Sequence, residues 1–197
     1  MCLWKTKKKE VNTMNEKQIE IIQKPSIFEK YKSGFDRGLP SINTLVIHHT
    51  DGEGTFDTLE NWMLTGERAN LYYQGIGLFH YCNDKEGKVY QIMPIEKWVY
   101  HSESGVMDQY TIGIENIHRT GEFTQAQYES LAELVVYLKN TYKNFKYITT
   151  HDWMRNTYSG LGSKGCPSSF FKMDTLKNII EKNGLKVKVI NGGLEVA

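Results

Sequence analysis

Short apolar segments of strand length alternate in this chain with longer segments whose apolar residues recur at helical spacing. TLVIHHT at 44–50, IGLFHYC at 76–82 and YTIGIENI at 110–117 are rich in β-branched and aromatic residues and predict buried strands. The connection NDKEG at 83–87 joins the second of these to KVYQIM at 88–93 and predicts a β-hairpin. Strands that alternate with helices within 197 residues predict a single α/β domain with a central mixed β-sheet flanked by helices.

The predicted helices carry recognisable start and stop signals. Thr55 is the expected N-cap of a helix that ends near Gly66. Thr124 and Gln127 form a capping box, and an apolar stripe at helical spacing follows them. A last helix is expected to end at Gly184.

The chain is predicted to hold one domain with two flanking segments. Residues 1–39 are expected to be an N-terminal extension, of which residues 1–13 are polar, Lys-rich and mobile. The domain itself is expected to span residues 40–184. Residues 185–197 are expected to form a C-terminal tail, as a short strand or a frayed end.

The charge balance narrows the class of partner. Lys and Arg number 24 and Asp and Glu number 23, so no strong basic field favours nucleic acid or an anionic membrane as a partner. No apolar run approaches the roughly 18 residues of a membrane span, and residues 1–20 lack the apolar core of a secretory signal. We therefore expect the protein to be located in the cytoplasm of the producing cell. We also expect it to be a monomer.

The three cysteines, Cys2, Cys82 and Cys166, occupy scattered positions. An odd number at such spacing is a poor disulfide framework and is compatible with a reducing compartment. Cys82 lies in an apolar segment and is predicted to be a core residue. Cys166 stays open to metal binding or thiol chemistry.

Three separated fragments, LVIHHT, ITTHDW and SKGCPSS, each supply one candidate metal ligand: His48, His151 and Cys166. Two imidazoles and one thiolate suit Zn²⁺, with the fourth tetrahedral position left for water. Successive side chains of a strand point to opposite faces, so His48 and His49 cannot both face one metal. A zinc site with three protein ligands is typical of a catalytic site.

Two alternatives compete with this interpretation. A single histidine in an apolar strand is more often a packed core residue than a ligand. A structural zinc site usually takes its ligands from short pairs, whereas about a hundred residues separate His48 from His151. The three candidate ligands together therefore favour a catalytic zinc site.

An ordered series of motifs extends beyond these fragments. It runs through VIHHT, LFHYCNDKEGKVYQIMP, WVYHSESG, TIGIEN, a capped helix, THDW and KGCPS. In this order the chain resembles the type 2 N-acetylmuramoyl-L-alanine amidase family over about residues 40–172, and several ordered blocks are more specific than one short motif. The family includes phage endolysins, muropeptide-recycling amidases and peptidoglycan recognition proteins.

The resemblance implies a peptidoglycan-amidase fold and a zinc enzyme. Such an enzyme hydrolyses the amide between N-acetylmuramic acid and the L-alanine of the stem peptide. The metal ligands of the family correspond to His48, His151 and Cys166, the last of which precedes Pro167. One Zn²⁺ ion is thus the implied cofactor, and peptidoglycan or muropeptides are the implied partners.

Two further positions match catalytic residues of the family. The resemblance implies that Glu115 is the base that activates the attacking water, and that Lys164 stabilises the tetrahedral oxyanion. Without the motifs, Glu115 would be an ordinary solvated or salt-bridged strand carboxylate and Lys164 a solvated surface lysine. Their catalytic assignment therefore depends on the resemblance.

The chain departs from the family pattern at two places. Phage-type members carry a catalytic tyrosine immediately before the hairpin histidine, whereas here Phe79 precedes His80. A phenylalanine carries no hydroxyl, which favours the glutamate-based mechanism of the recycling branch. The segment from His151 to Cys166 is also longer than in many relatives, and MRNTYSGLGS at 154–163 is expected to form a loop at the rim of the cleft.

Three residues are candidates for substrate contact. His101, in WVYHSESG, aligns with a histidine of the family's substrate groove. Trp98 and Trp153 lie close in sequence to His101 and His151 and are candidates to line a sugar-binding cleft. Because aromatic side chains more often belong to the core, packing is the alternative for both tryptophans.

The resulting hypothesis is a phage or prophage endolysin that reaches the cell wall through a membrane pore. A cytoplasmic muropeptide-recycling amidase and a non-catalytic peptidoglycan-binding module are the alternatives. Inactive relatives typically lose the cysteine ligand, so the presence of Cys166 argues for catalysis.

Overall fold

The computed structural model describes residues 19–197, and the predicted mobile segment at 1–13 lies outside this range. The strands are β1 (Ile21–Gln23), β2 (Phe35–Asp36), β3 (Thr44–His49), β4 (Tyr81–Asn83), β5 (Val89–Gln91), β6 (Lys97–Trp98), β7 (Thr111–Asn116), β8 (Tyr147–Thr150), β9 (Val187–Ile190) and β10 (Gly193–Val196). The α-helices are α1 (Ser26–Tyr31), α2 (Phe56–Thr65), α3 (Ala69–Tyr72), α4 (Gln125–Thr141), α5 (His151–Met154) and α6 (Met173–Lys182). Shorter turns are 3-10 at Leu39–Ser41 and Gly105–Tyr110 and π-helical at Arg155–Ser159. Among the described residues, no helix has the length and apolar character needed to cross a bilayer.

Eight of these strands form one sheet in the order β1-β5-β4-β7-β3-β8-β10-β9. Its centre is parallel, because β4 pairs in parallel with β7, β7 with β3, and β3 with β8. The pairs β4–β5, β8–β10 and β10–β9 are antiparallel. β2 and β6 form a separate two-stranded sheet. The predicted α/β class with a central mixed sheet is confirmed.

Helices cover both faces of the main sheet. On one face, Leu45 and Ile47 of β3 belong to a buried cluster that includes Leu134 of α4 and Ile180 of α6. A second buried cluster, on the opposite face of the main sheet, includes Phe56 of α2. Burial of these apolar faces, at about 25 cal/mol per Å² of apolar surface, is the main force that holds helices and sheet together.

The two best-defined helix starts lie where the sequence predicts them. The Thr124 hydroxyl oxygen accepts from the backbone N–H of Gln127 at 3.0 Å, and the Gln127 side chain accepts from the backbone N–H of Thr124 at 3.1 Å. Thr55 likewise accepts from the N–H of Thr58 at the start of α2. Both caps satisfy backbone donors that lack a partner within the helix, which confirms the predicted starts.

The main sheet extends past both predicted domain limits. β1 pairs with β5, although it precedes residue 40. The C-terminal segment, predicted as a short strand or a frayed end, forms the two strands β9 and β10, and β10 pairs with β8. Leu194 and Val196 are fully buried in the core, so this hairpin is part of the packed structure.

Two predicted segments differ in detail from the structure. Only the last two residues of the predicted strand at 76–82 belong to β4, because Gly75 and Gly77 have φ angles of 73° and 75° and interrupt extended backbone before it. The predicted loop at 154–163 begins inside helical structure, and the π-helical turn ends where Gly160 adopts a left-handed conformation. Within this segment, the backbone is irregular only after Gly160.

Candidate active site

Three adjacent parallel strands end at one edge of the main sheet. His48 is next to last in β3, Glu115 is its Cα partner on β7, and His151 directly follows β8. Parallel strands turn their carboxyl ends to the same edge, so these side chains come together there. The hydroxyl of Thr150 accepts from the N–H of Trp153 at 3.3 Å and starts α5, with His151 as its first residue.

Cys166 reaches the two histidines from a loop that Asp152 orders. The Asp152 carboxylate accepts from the backbone N–H groups of Lys164 at 2.7 Å and Gly165 at 3.0 Å. The backbone N–H of Asp152 donates to the carbonyl oxygen of Cys166 at 2.8 Å. Burial acts to raise the pKa of Asp152, but hydrogen bonds from the Ser163 hydroxyl and from backbone N–H groups hold this pKa below its usual value. Asp152 thus fixes the loop that presents the thiol.

The three candidate ligands form one cluster. One ligand atom from each of His48, His151 and Cys166 lies within 4.8 Å of the others, and Cys166 Sγ lies 4.0 Å from His48 Nδ1. His151 Nε2 is buried without a hydrogen-bond partner, which is unusual for a buried polar nitrogen. A cation would give this nitrogen a partner. Two imidazoles and a thiol therefore fit Zn²⁺ at this position.

Burial sets the protonation of the cluster. It lowers the pKa of His48 well below the usual value, with a further contribution from His151, and it also lowers the pKa of His151. Both imidazoles are then neutral, which is the form that binds metals. Burial also raises the pKa of the Cys166 thiol, and Glu115 adds to this effect. A thiolate at Cys166 therefore requires a cation beside it.

Glu115 provides a carboxyl group next to the ligands. Burial raises its pKa to about 8. Its Oε2 is buried and has no hydrogen-bond partner, and its charge acts on the Cys166 thiol. A carboxyl group that titrates near neutral pH in a cleft is suited to accept and return a proton.

His101 lies against His48 and forms part of the wall of the cleft. Its Nδ1 is 3.0 Å from His48 Nε2, and its Nε2 is 2.8 Å from the hydroxyl of Thr111. Only 2% of the side chain is exposed. Both ring nitrogens are therefore engaged inside the protein, and substrate contact by His101 stays a prediction.

Lys164 lies at the rim of the cleft, two residues before Cys166. Its ammonium group forms an ion pair with Glu103, and Arg155 Nε lies 2.6 Å from the other oxygen of the same carboxylate. Glu103 thus joins the loop after His101 to the π-helical turn. Glu103 was not predicted, and its only signal in the sequence is its position two residues after His101.

A cleft of about 950 Å³ is lined by His48, His101, Glu103, Glu115, His151, Lys164 and Cys166. The remaining polar walls come from His49, Thr50, Asp51, Arg68, Arg119 and Ser168, and the apolar walls from Leu71, Ile76, Leu78 and Tyr100. Arg68 and Arg119 were not predicted, although Arg119 lies only four residues after Glu115. A cleft of this size can hold a ligand of several sugar or amino-acid units.

Trp98 and Trp153 are outside the set of residues that line this cleft. The ring of Trp98 stacks on Phe35 with centroids 4.6 Å apart. Trp153 contacts the edge of Tyr158 at 5.7 Å between centroids. Tyr100, whose ring lies 4.9 Å from that of Trp98, reaches the cleft instead. Substrate contact by either tryptophan stays a prediction.

The surroundings of Phe79 explain why this position, which precedes the hairpin, can hold a phenylalanine. Phe79 is 5% exposed and belongs to the core, whereas its neighbour Leu78 lines the cleft. His80 is fully buried, and its Nδ1 accepts from the backbone N–H of Gly113 at 3.1 Å. His80 is therefore held inside the structure by the backbone of β7.

Comparison with known proteins identifies the family. The sequence model of the N-acetylmuramoyl-L-alanine amidase family matches residues 38–169. The chain belongs to this family. The match includes all three candidate ligands of the amidase together with Glu115 and Lys164. The family and the enzyme class suggested by the motifs are confirmed.

Several solved structures share the fold of the amidase. The N-acetylmuramoyl-L-alanine amidase LysC from Clostridium intestinale URNW is 21% identical, with 82% of this chain and 97% of that chain covered and a TM-score of 0.61. The Ph2119 endolysin from the Thermus scotoductus MAT2119 bacteriophage is 18% identical, with 82% and 99% covered and a TM-score of 0.59. AmpD is 19% identical, with 83% and 95% covered and a TM-score of 0.56. A search of curated proteins found no significant match.

Proposed function

We propose that the amidase uses one zinc ion to hydrolyse the amide between N-acetylmuramic acid and L-alanine in peptidoglycan. The main support is the convergence of His48, His151 and Cys166 within 4.8 Å beside Glu115 in a cleft. A zinc ion with three protein ligands supplies a Lewis acid, which polarises a carbonyl group and makes water nucleophilic near neutral pH.

Glu115 is the proposed base. Its ionised Oε2 accepts a proton from the attacking water and returns it to the amide nitrogen as the C–N bond breaks. Burial raises the pKa of this carboxyl to about 8, but a cation held by the neighbouring ligands favours the ionised form. The carboxylate is then available as a base at neutral pH.

Lys164 is the proposed counter-charge for the tetrahedral oxyanion. It lines the cleft and is paired with Glu103 at the rim. The four-carbon stem of a lysine is flexible, so the ammonium group can turn from Glu103 toward negative charge that develops on the substrate. Glu103 holds the lysine near the cleft until then.

The walls of the cleft suit an acidic glycopeptide. Arg68 and Arg119 both line it, and within residues 19–197 neither forms an ion pair. Stem peptides of peptidoglycan carry free carboxylates, which arginine binds well through two parallel hydrogen bonds. We assign these two arginines to the peptide part of the substrate.

The proposed biological role is that of a phage or prophage endolysin, released to the wall through a membrane pore. Cys166 at the third ligand position is the feature in common with the phage-type pattern. A muropeptide-recycling amidase is the second candidate, because Glu115 and Phe79 match that branch. The protein is proposed to act as a monomer in either role.

A turnover assay on two substrates tests these proposals. Zinc-loaded protein is incubated with intact peptidoglycan and, separately, with soluble muropeptides, and the released stem peptides are quantified. Release from intact wall is expected of an endolysin, whereas cleavage of soluble fragments alone would favour the recycling role. Binding to peptidoglycan without any release would contradict the proposed hydrolysis.

Substitution of Glu115 tests the proposed base. Glu115→Gln is expected to lower kcat by about 10²- to 10⁴-fold, the usual contribution of a general base, and to leave the bound zinc unchanged. The exposed Glu122 offers a matched control, since Glu122→Gln makes the same chemical change outside the cleft. Full turnover in Glu115→Gln would rule out its assignment as the base.

A further inference from the structure

The two ring nitrogens of His48 face different partners. Nδ1 lies 4.0 Å from Cys166 Sγ, on the side of the proposed zinc site. Nε2 lies 3.0 Å from Nδ1 of His101, on the opposite side of the ring. Both histidines are buried, so this short contact needs one donor and one acceptor nitrogen.

The direction of this hydrogen bond follows from the partners behind it. The hydroxyl of Thr111 lies 3.4 Å from the carbonyl oxygen of Asp108, to which it can only donate. The Thr111 oxygen then accepts from Nε2–H of His101, at 2.8 Å. Nδ1 of His101 carries no hydrogen in that tautomer and accepts from Nε2–H of His48. The lone pair of His48 is left on Nδ1, the nitrogen nearest Cys166.

We propose that His101 is a positioning residue for the zinc ligand His48, whose tautomer and ring orientation it fixes by accepting Nε2–H. This inference rests on the proposed zinc site. Hydrogen-bond partners of metal-bound histidines typically contribute about 10- to 100-fold to metal affinity. His101 lines the cleft, but only 2% of its side chain is exposed, and the positioning role is exerted through His48.

The fold leaves the ring of His101 little freedom. Gly113 of β7 lies against the ring, and a Cβ atom there would come within 2.9 Å of Cγ and Nδ1. Asp108 is fully buried, and its Oδ1 lies 3.5 Å from His101 Nε2. The same oxygen accepts from the backbone N–H of Ser102 at 3.1 Å and from its hydroxyl at 2.6 Å. Such a rigid shell is what a positioning role requires.

Zinc affinity separates this role from ordinary packing. His101→Leu keeps much of the volume but removes the acceptor, whereas His101→Asn places an amide oxygen near the position of Nδ1. We expect the zinc dissociation constant, measured by competition with a chromogenic chelator, to rise about 10- to 100-fold in His101→Leu and to recover toward wild type in His101→Asn. Urea unfolding of the metal-free variants shows whether each one is folded.

Two more variants complete the test. His118→Asn changes a histidine that is equally buried but bonded to the carbonyl of Gly121, so its zinc affinity should equal that of wild type. Thr111→Val removes the acceptor of His101 Nε2–H and is expected to weaken zinc binding less than His101→Leu does. If His101→Leu does not fold, the zinc affinity of Thr111→Val tests the positioning role in its place. Wild-type affinity in both His101→Leu and Thr111→Val, or no recovery in His101→Asn, would overturn the positioning role. Failure of the wild-type protein to bind zinc would instead overturn the proposed function.

Discussion

At the scale of single residues, burial has more influence on protonation in this cleft than any neighbouring charge. It is the largest cause of the pKa shifts of His48, Glu115 and Cys166. In each case burial disfavours the charged form. The His48 imidazole is therefore already neutral, whereas zinc binding must displace the proton of the Cys166 thiol, so zinc affinity is expected to increase with pH.

The raised pKa of Glu115 predicts how the stability of the metal-free amidase depends on pH. The folded-state value of about 8 exceeds the ordinary value of 4.5, so between them the folded state holds more protons than the unfolded state. The free energy of unfolding then falls as pH rises through this window, by at most about 1.4 kcal/mol per pH unit. Urea unfolding of wild type and Glu115→Gln isolates the effect, and the variant should gain in relative stability toward pH 8. A stability difference that is constant with pH would contradict this prediction.

Replacement of Cys166 tests the ligand set. Cys166→Ser is expected to lower the zinc content of the purified protein, because a hydroxyl is a far weaker zinc ligand than a thiolate. Cys82→Ala is the matched control, since Cys82 is fully buried in the core outside the cluster of ligands. Elemental analysis should show reduced zinc only in Cys166→Ser. Equal zinc content in the two variants would exclude Cys166 as a ligand.

The sequence predicts individual site residues better than it predicts their partners. His48, His151 and Cys166 stand in distinctive motifs, and the structure brings them together. The ion pair between Lys164 and Glu103 spans 61 positions, and each charge alone resembles a solvated surface group. Side-chain pairings of this kind depend on how distant loops pack, which short motifs do not encode.

At the scale of secondary-structure elements, the site depends on strand order. β3 lies between β7 and β8, although both follow it in the chain. Apolar runs in the sequence predict each of these strands, because their burial requires them. Their order depends on how the intervening helices cross the two faces of the sheet, and no local pattern specifies this. The local patterns therefore did not predict the approach of Glu115 to His48 across β7 and β3, which only the resemblance to the amidase family implied.

The capping box of α4 makes a prediction at the same scale. Thr124→Ala is expected to lower the free energy of unfolding by about 1 kcal/mol, since it removes the N-cap acceptor. The Thr124 hydroxyl also donates to the carbonyl of Lys85 at 2.8 Å, which joins α4 to the hairpin. Thr55→Ala removes a longer, exposed cap bond of 3.4 Å to Thr58 and should cost less. Chemical denaturation compares the two, and a larger loss for Thr55→Ala would contradict the role given to the capping box.

At the scale of the whole molecule, the edge of the sheet next to the site depends on residues beyond the region that defines the family. β10 pairs with β8, the strand that directly precedes His151. The hydroxyl of Thr149 donates to the carbonyl of Gly192 at 2.7 Å, and Lys139 of α4 donates to the carbonyl of Val196 at 3.1 Å. The C-terminal hairpin thus supports β8 from the side. The sequence of this hairpin shows only a short alternation of valine residues. For this reason a frayed end was predicted as an alternative to a strand.

Removal of this hairpin is expected to destabilise the entire amidase. Leu194 and Val196 are fully buried, and burial of each such side chain contributes about 1.5–3 kcal/mol. A chain that ends at Gly184 should therefore lose more than about 3 kcal/mol of unfolding free energy and leave the edge of β8 open to association. Urea unfolding measures the loss, and light scattering detects the association.

Single substitutions show how much of the lost stability comes from the buried side chains of the hairpin rather than from its strands. Leu194→Ala is expected to cost about 2–5 kcal/mol, whereas Val189→Ala on the exposed side of β9 should cost less than about 0.5 kcal/mol. Unchanged stability in both Leu194→Ala and the shortened chain would mean that the domain ends at residue 184. Because β8 positions His151, zinc affinity is expected to fall together with stability in the shortened chain and to stay unchanged in Val189→Ala.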